Sequence, residues 1–455
     1  MKKLSKKFWL ALVLFGLIGQ VAWVVENMYL NVFLYKMFRA SAADISMMVS
    51  ASAVAATVTT ILMGAWIDKV GKQKVFICGG YVVWGIAILG FALVRMDVLT
   101  PLCGNAVQAA SLGISLTIIL DCVMTFFGST ANDAAYNAWL TDVGDESNRG
   151  KIEGINAMMP LVSILVVFGG FIGFNLDLPE SWTAIYCIIG GVVLVIGVLG
   201  FFLIEDVSDK DKVLKVAGNE CGGTERVQED AMEQKTGYLY NLVYSFRPKV
   251  MMENKLLYAV ILVFAIFGIS IQTYMPYLIL YYEQTLQMSD YVLVMAPAII
   301  LASVVTAFYG RVYDKLGFQK SVLPGMGMLI GGYVVLYFTT TTVPVFIGSL
   351  LMMCGYLTGM AVFGAIIREQ IPENMSGRFQ GLRIIGQVLI PGVIGPAIGA
   401  WVLRDAAQIE NNDGTFSFLP DRGIWFAAIV VAVVVLVALM GVFVLMKKSK
   451  AAGEQ

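Results

Sequence analysis

The chain has 455 residues, of which 58% are hydrophobic and 14% are charged, and its mean hydropathy is +0.78. Soluble domains carry about 25% charged residues, so this composition excludes a soluble globular protein and indicates a membrane protein with many spans. The absence of histidine excludes histidine-based zinc, haem and Ser-His-Asp catalysis. With a net charge of -1, the chain has no basic field for nucleic acid, and we expect no nucleic-acid partner.

Twelve apolar stretches lie between clusters of charge, and each is long enough to cross a bilayer core, which takes about 20 residues. They cover roughly 8–33, 45–67, 75–94, 110–138, 152–175, 182–204, 256–282, 291–310, 321–340, 343–367, 380–403 and 424–446. Twelve spans place both termini on the same side of the bilayer. Of the 31 Lys and Arg residues, 26 lie on that side and 5 lie opposite, namely Lys36, Arg39, Arg95, Arg404 and Arg422. The positive-inside rule therefore predicts a multi-pass protein of the cell membrane with cytoplasmic termini.

A polar stretch divides the chain into an N-terminal bundle (1–205), a cytoplasmic central loop (206–255) and a C-terminal bundle (256–455). Two sequence matches relate the bundles. Gly64-Ala-Trp-Ile-Asp68-Lys-Val-Gly71 aligns with Gly310-Arg-Val-Tyr-Asp314-Lys-Leu-Gly317 at an offset of 246, and 138–154 aligns with 365–381 without gaps. Because each match lies in the corresponding cytoplasmic loop of its half, the pattern predicts two pseudo-symmetric six-helix bundles.

The repeated loops also predict a gate on the cytoplasmic side. The first glycine of each copy lets a neighbouring helix approach closely, the second permits a tight turn, and the aspartate can pair with an arginine of a nearby loop. A solvated positive-inside turn is the simpler interpretation of one copy, and the duplication favours the gate. Its predicted members are Gly64, Asp68, Gly71, Arg149, Gly310, Asp314, Gly317 and Arg378.

With twelve spans, a central loop and this signature after spans two and eight, the sequence resembles the major facilitator superfamily over essentially its whole length. The segment 19–35, the intramembrane Asp121 and the region 148–150 resemble the glycoside–cation and sucrose–proton symporter groups. The resemblance implies an all-α major facilitator fold whose bundles rock about a midplane site. It also makes Asp121 the counterpart of the fourth-helix aspartate that carries the coupling proton in sucrose symporters. Those symporters have an arginine on helix five, which span five of this chain lacks.

Polar residues at bilayer depth are costly and indicate function. Asp121 lies near the middle of span four, where an isolated carboxylate can take up and release a proton, and a bond to a neighbouring helix is the structural alternative. Glu26 is the second proton-coupling candidate, although it points about 100° away from Asn27 and can instead pair across helices. The candidates for substrate binding are Gln20, Trp23, Asn27, Asn31, Thr125, Asn132, Gln272, Tyr356 and Gln387.

Together these features predict a monomeric secondary active transporter in the lipid bilayer. The solute is best interpreted as a sugar or glycoside, moved by alternating access and coupled to protons, with sodium as the other coupling ion to consider. A proton-driven exporter of drugs or other amphipathic compounds is the alternative, and a transport-inactive membrane sensor is an alternative of a different class. The sequence has no P-loop motif and predicts no enzyme, no cofactor and no metal site.

Overall fold

A computed structural model describes residues 4–143, 148–204, 245–288, 290–371, 376–411 and 415–453. The predicted linker 206–235 lies outside these ranges. Within them, eleven helices are long and apolar enough to cross a membrane. The longest, Tyr291–Phe338, breaks at Gly317 and so accounts for two predicted spans, the eighth and the ninth. The prediction of an all-α fold with twelve spans is thereby confirmed.

The spans follow one another in chain order with short connections. Their bounds are Lys6–Phe38 (span 1), Ala42–Val70 (span 2), Gln73–Leu93 (span 3), Ala106–Val143 (span 4), Arg149–Phe171 (span 5), Pro179–Leu203 (span 6), Lys255–Thr285 (span 7), Tyr291–Phe338 (spans 8 and 9), Thr342–Gln370 (span 10), 376–402 (span 11) and Gly423–Gly453 (span 12). The connections contain two short helices, Met96–Cys103 and Pro248–Glu253, and an antiparallel hairpin of β1 (Gln408–Glu410) and β2 (Phe416–Phe418).

Four spans contain a π-helical turn, in which each residue bonds one position further back than in an α-helix. These turns are Val25–Tyr29, Ser129–Tyr136, Tyr281–Thr285 and Ile385–Leu389. In span 1, side-chain amides bond the main chain around the turn. Asn27 Nδ2 donates to the carbonyl of Trp23 at 2.8 Å, and Asn31 Nδ2 donates to the carbonyl of Asn27 at 3.0 Å. A π turn changes which face the following residues present, and the periodicity of an ordinary helix does not predict that change.

The sequence predicted two roles for the glycines of the repeated loop, and the structure bears out the tight turn at the second glycine. Gly71 and Gly317 have φ angles of 70° and 71°, in the left-handed region that favours glycine, so both second glycines make tight turns. The close-approach role predicted for the first glycine is wrong at Gly310. A Cβ built there meets no described atom within 4 Å, because this part of span 8 faces open space.

The two halves of the chain are joined at the end of the bundle opposite the termini, which we call the distal end. Tyrosine hydroxyls cross between the halves there: Tyr35 donates to the carbonyl of Phe418 at 2.7 Å, Tyr277 to the carbonyl of Ala42 at 3.0 Å, and Tyr291 to the hydroxyl of Tyr29 at 3.2 Å. The β1–β2 hairpin contributes Phe418, whose ring packs 5.2 Å from the ring of Tyr35. In this structure the distal end is therefore closed.

Candidate functional site

A buried polar cluster lies inside the N-terminal half, where spans 1, 2 and 4 meet. Glu26 Oε1 accepts a hydrogen bond from Ser52 Oγ at 2.7 Å and another from Thr125 Oγ1 at 2.9 Å. The two hydroxyl oxygens are 2.8 Å apart. Asp121 lies one helical turn before Thr125 and interacts electrostatically with Glu26. Glu26 is 6% exposed and Asp121 is 1% exposed. The structure therefore places both predicted coupling residues in one buried cluster.

The two carboxyl groups of this cluster have little to offset a negative charge. Glu26 Oε2 and Asp121 Oδ1 are buried and have no hydrogen-bond partner in the part of the chain that the structure describes. Within the described ranges, neither group forms an ion pair with a lysine or arginine. Removing an unpaired carboxylate from water costs several kcal/mol, of order 5. The cluster is therefore suited to take up a proton or a small cation.

Three oxygens of the cluster lie within hydrogen-bond distance of one another. Glu26 Oε1, Ser52 Oγ and Thr125 Oγ1 are separated by 2.7, 2.9 and 2.8 Å, and all three separations are hydrogen-bond distances. The two hydroxyl groups supply one hydrogen each. If Glu26 Oε1 carried a hydrogen, it would donate one of its two bonds instead of accepting both, and each of the three oxygens would then donate one bond and accept one.

Aromatic rings from spans 1 and 3 lie beside the cluster. The rings of Trp23 and Trp84 are 5.2 Å apart, and Tyr81 packs 5.3 Å from Trp84. Trp84 is fully buried, as expected for a side chain whose role is packing. The Tyr81 hydroxyl donates to Asn132 Oδ1 at 3.0 Å. Asn132, a predicted substrate residue, is therefore buried and hydrogen-bonded within the N-terminal half.

The other predicted substrate residues are distributed over both halves. Asn31 is fully buried, whereas Asn27 is exposed. The half-buried members of the set are Gln20, Trp23, Gln272, Tyr356 and Gln387. Gln387 lies in the π turn of span 11 and accepts a bond from Arg383 Nε at 3.3 Å. Thr125 is the member that the structure connects directly to the carboxylates, and the ligand roles of the rest stay predictions.

The gate predicted for the opposite end lies largely beyond what the structure describes. The side chains of Asp68, Arg149 and Arg378 are outside the described side chains, and Asp314 is exposed to solvent. Pairing between these aspartates and arginines stays a prediction. What the structure adds is the pair of turns at Gly71 and Gly317, which fix the path of the chain at equivalent places in the two halves.

Sequence reasoning missed the charged residues at the distal end. The predicted first and seventh spans stop before Lys36 and Glu283, but both helices continue past them. Lys36 lies on the side opposite the termini, but inside span 1 and not beyond its end: its side chain is 4% exposed, lies 2.9 Å from Asp177, and pairs with Glu283 across the two halves. Burial is tolerated because the charge is paired. The sequence contained a signal for this pairing. Lys36 and Glu283 are 247 residues apart, close to the offset of 246 between the two copies of the loop motif, so they occupy nearly equivalent positions in the two halves.

Two further members of the buried cluster were also missed. Ser52 carries no charge, and nothing in its sequence surroundings distinguishes it from other small residues of span 2. Asp133 lies in the π turn of span 4 and acts electrostatically on Glu26. A count of the ionisable residues within the predicted fourth span, 110–138, would have found Asp133 as well as Asp121.

This arrangement of spans and turns has a clear counterpart among known protein families. The model of the Major Facilitator Superfamily matches residues 8–396. The chain belongs to the Major Facilitator Superfamily, and it is a multi-pass membrane protein. No curated protein sequence matches the chain significantly.

Several solved transporter structures are similar to the fold. The D-xylose–proton symporter is 15% identical with a TM-score of 0.68, and the match covers 95% of this chain and 96% of that one. A bacterial homologue of the human lysosomal transporter Spinster, inward-facing and unoccupied, is 13% identical with a TM-score of 0.70 and 97% coverage of both chains. The nucleoside transporter NupG is 12% identical with a TM-score of 0.65, covering 95% of this chain and 98% of that one. At these identities the similarity concerns the fold alone.

Proposed function

We propose that this protein is a secondary active transporter that moves a small solute across the cell membrane by alternating access, coupled to protons. Glu26 and Asp121 bind the coupling proton, and their cluster lies in the N-terminal half. The observation that carries the proposal is the pair of buried carboxyl groups with unpartnered oxygens and no basic residue paired to them in the described structure. A permanent charge there is costly, so the site is stable when a proton neutralises it.

The solute we propose is a sugar, a glycoside or a related polyhydroxylated compound. Half-buried amides and an indole, such as Gln20, Gln272 and Trp23, offer hydrogen bonds and an aromatic face to such a molecule. Two of the transporters with a similar fold carry solutes of this class by name, a xylose symporter and a nucleoside transporter. Their likeness supports the solute class and does not extend to individual binding residues.

The excess of basic residues on the terminal side supports cytoplasmic termini. With that orientation, the distal end faces outward, and the structure represents a state closed to the outside. Alternating access then requires the distal contacts to separate while the repeated loops with Asp68 and Asp314 come together. The Lys36–Glu283 pair is one of the contacts that must break in each cycle.

The proposal can be tested with purified protein in liposomes. A thermal-shift screen against sugars, nucleosides and lipophilic cations identifies a solute first, because binding stabilises the folded state by mass action. We then expect an imposed proton gradient to drive uphill uptake of that solute. Asp121→Asn and Glu26→Gln should each abolish uphill uptake while counterflow exchange remains.

The control for these variants is Tyr282→Phe in the C-terminal half. It removes a buried hydroxyl that lies 2.5 Å from the hydroxyl of Ser349, and it leaves both carboxyl groups intact. This variant should retain uphill uptake. Unchanged concentrative uptake in both carboxylate variants would refute the coupling role. Uptake driven by a sodium gradient without a proton gradient would instead assign the site to sodium.

A further inference from the structure

The Ser52 hydroxyl belongs to the carboxylate cluster, but its helix belongs to the interface between the halves. Ser52 lies in span 2 and donates to Glu26 Oε1 at 2.7 Å. The next residue, Ala53, is buried against span 11 of the other half. Consecutive residues of a helix point about 100° apart, so span 2 presents one residue to the proton site and the adjacent one to the opposite bundle.

The contact on the interface side has no spare room. A Cβ built on Gly392 would lie 2.5 Å from the Cβ of Ala53, closer than two such atoms can approach. Gly392 follows the π turn of span 11, and the adjoining Pro391 packs against Gly268 of span 7. Span 11 is therefore held between span 7 and span 2, and a small displacement of span 2 alters the contact at Ala53.

The state of Glu26 determines how close Ser52 can stay to span 4. When Glu26 carries a proton, three hydrogens serve the three oxygen contacts. When the proton leaves, Thr125 donates to the Glu26 carboxylate, and Ser52 donates to one of the two carboxyl groups that its hydroxyl reaches, Glu26 or Asp121. No hydrogen then remains between Ser52 Oγ and Thr125 Oγ1. Two oxygens that are 2.8 Å apart without a hydrogen between them repel, so Ser52 moves away from Thr125. The backbone of span 2 carries that movement to Ala53.

We propose that Ser52 is a positioning residue that transmits the loss of a proton from Glu26 to the contact between spans 2 and 11. Protonation of Glu26 favours the closed distal end, and proton loss favours its opening. Among the described residues, the other ionisable groups around Glu26 are Asp121, Cys122 and Asp133 from span 4 and Tyr186 of span 6, which lines the same small cavity. This inference rests on the proposed function, because it takes Glu26 as a group that exchanges protons during transport.

The experiment measures opening of the distal end directly. Spin labels are attached at Val98→Cys and Leu293→Cys, exposed positions on the N-terminal and C-terminal halves near the distal end, after replacement of the six native cysteines. Pulsed electron spin resonance then gives the distance distribution at pH 5.5 and at pH 8. We expect the long-distance population of the otherwise unchanged protein to increase several-fold at the higher pH. Ser52→Ala should lose most of this pH response, and Ser52→Thr, which keeps the hydroxyl, should retain it.

A second pair of variants tests the interface side of the link. Gly392→Ala should raise the long-distance population already at pH 5.5, because the added methyl group forces spans 2 and 11 apart. Combining it with Ala53→Gly removes the clash and should restore the original distribution. This rescue also shows that the single variant is folded and is not merely damaged.

The outcomes separate the two proposals. If Glu26→Gln removes the pH response and Ser52→Ala leaves it unchanged, the role of Ser52 is refuted and Glu26 remains the proton site. If Glu26→Gln changes neither the pH response nor uphill uptake, the proposed coupling itself fails. A pH response that survives Ser52→Ala but disappears in Asp133→Asn would assign the response to Asp133 and overturn the role of Ser52.

Discussion

The interior of the N-terminal half holds the carboxyl groups of Glu26 and Asp121, whereas the interior of the C-terminal half is rich in tyrosine. In that half, the ring of Tyr274 packs 5.3 Å from Tyr333 and 4.9 Å from Trp425. The buried Tyr274 hydroxyl faces Tyr333, and the buried Trp425 Nε1 faces Tyr281. The halves share a loop motif and the turns at its second glycines, so they differ in side-chain chemistry more than in fold.

This difference bears on what each half can do. A carboxyl group can gain or lose a proton near neutral pH once its surroundings disfavour the charge, whereas an ordinary phenol titrates near pH 10 and stays neutral. Phenols and indoles are well suited to hydrogen-bond and stack on a polyhydroxylated solute. The contrast supports a division in which the N-terminal half exchanges the proton and the C-terminal half contributes to solute recognition.

The largest expected effect separates these two roles. The double variant Glu26→Gln/Asp121→Asn should bind solute with an affinity that no longer depends on pH, because it lacks both carboxyl groups proposed to exchange the proton. Tyr333→Phe should keep the pH dependence and weaken solute binding by about five-fold, the equivalent of one hydrogen bond of about 1 kcal/mol. Isothermal titration calorimetry from pH 5.5 to pH 8 measures both quantities on the same samples.

The proposed division between a proton-exchanging half and a solute-recognising half is refuted if the two roles are exchanged. A Tyr333→Phe variant that loses its pH dependence would place proton exchange in the C-terminal half. A double carboxylate variant that keeps a normal pH profile would show that another group, with Asp133 as the first to examine, carries the proton. Tyr337→Phe at the outer end of span 9 is a matched control, since it removes a half-buried phenol away from the Tyr274 cluster.

The sequence allowed the fold to be predicted because its signals are repeated over long segments. Each span adds some twenty apolar residues to the pattern, and the loop motif occurs in both halves at one offset. Thr117, Asp121 and Thr125 follow one another at ordinary helical steps of four residues, and all three are buried in the structure. Regular periodicity thus sufficed wherever the helix was regular.

The site was predicted less completely because its key features are local and three-dimensional. The π turn at Val25–Tyr29 alters the face that Glu26 presents, and no feature of its sequence announces it. Ser52 matters through two distances to other helices. Lys36 and Glu283 were excluded because charged residues usually end a span, and their mutual pairing is visible once spans 1 and 7 are packed together.

The second expected effect concerns the charges that join the halves. Lys36→Met leaves the partly buried Glu283 without its cation. Breaking a fully buried pair costs about 3 kcal/mol, which is an upper limit here because the Glu283 side chain is 20% exposed. We expect a lower melting temperature and a larger distal-open population in the spin-label measurement. Glu283→Gln should have a smaller effect, because Lys36 keeps its contact with Asp177 at 2.9 Å.

A double-variant cycle then assigns the energy to the pair. If Lys36→Met and Glu283→Gln act through their mutual contact, the double variant should be less destabilised than the sum of the single changes. Additive effects would mean that the halves are held together at the distal end by the tyrosine hydroxyls and by packing. Lys36→Arg retains the charge and should stay close to the unaltered protein in both measurements.

The smallest expected effect is that of replacing Asp97, an exposed carboxylate of the N-terminal half. Its effect on stability and transport is the reference against which the effects of replacing buried carboxylates are compared. Asp97 lies outside the spans, 2.9 Å from Arg95 Nε, and the hydrogen bonds from that guanidinium lower the pKa of Asp97. A pKa that is lower in the folded state stabilises the fold above the unfolded value and loses that contribution as the pH falls through the folded value. Asp97→Asn should therefore reduce the melting temperature slightly at pH 7.

That slight difference should disappear once the pH falls below the lowered folded-state pKa of Asp97, where the carboxyl group is protonated in both states. Water and salt screen an exposed pair, so the change should be smaller than that of Lys36→Met at every pH. Uphill uptake by Asp97→Asn should match that of the unaltered protein. Asp97 lies outside the spans, whereas Glu26 and Asp121 lie within them. A loss of coupling in this variant would show that carboxylates of the N-terminal half influence transport through long-range charge. Proton exchange would then not be confined to Glu26 and Asp121.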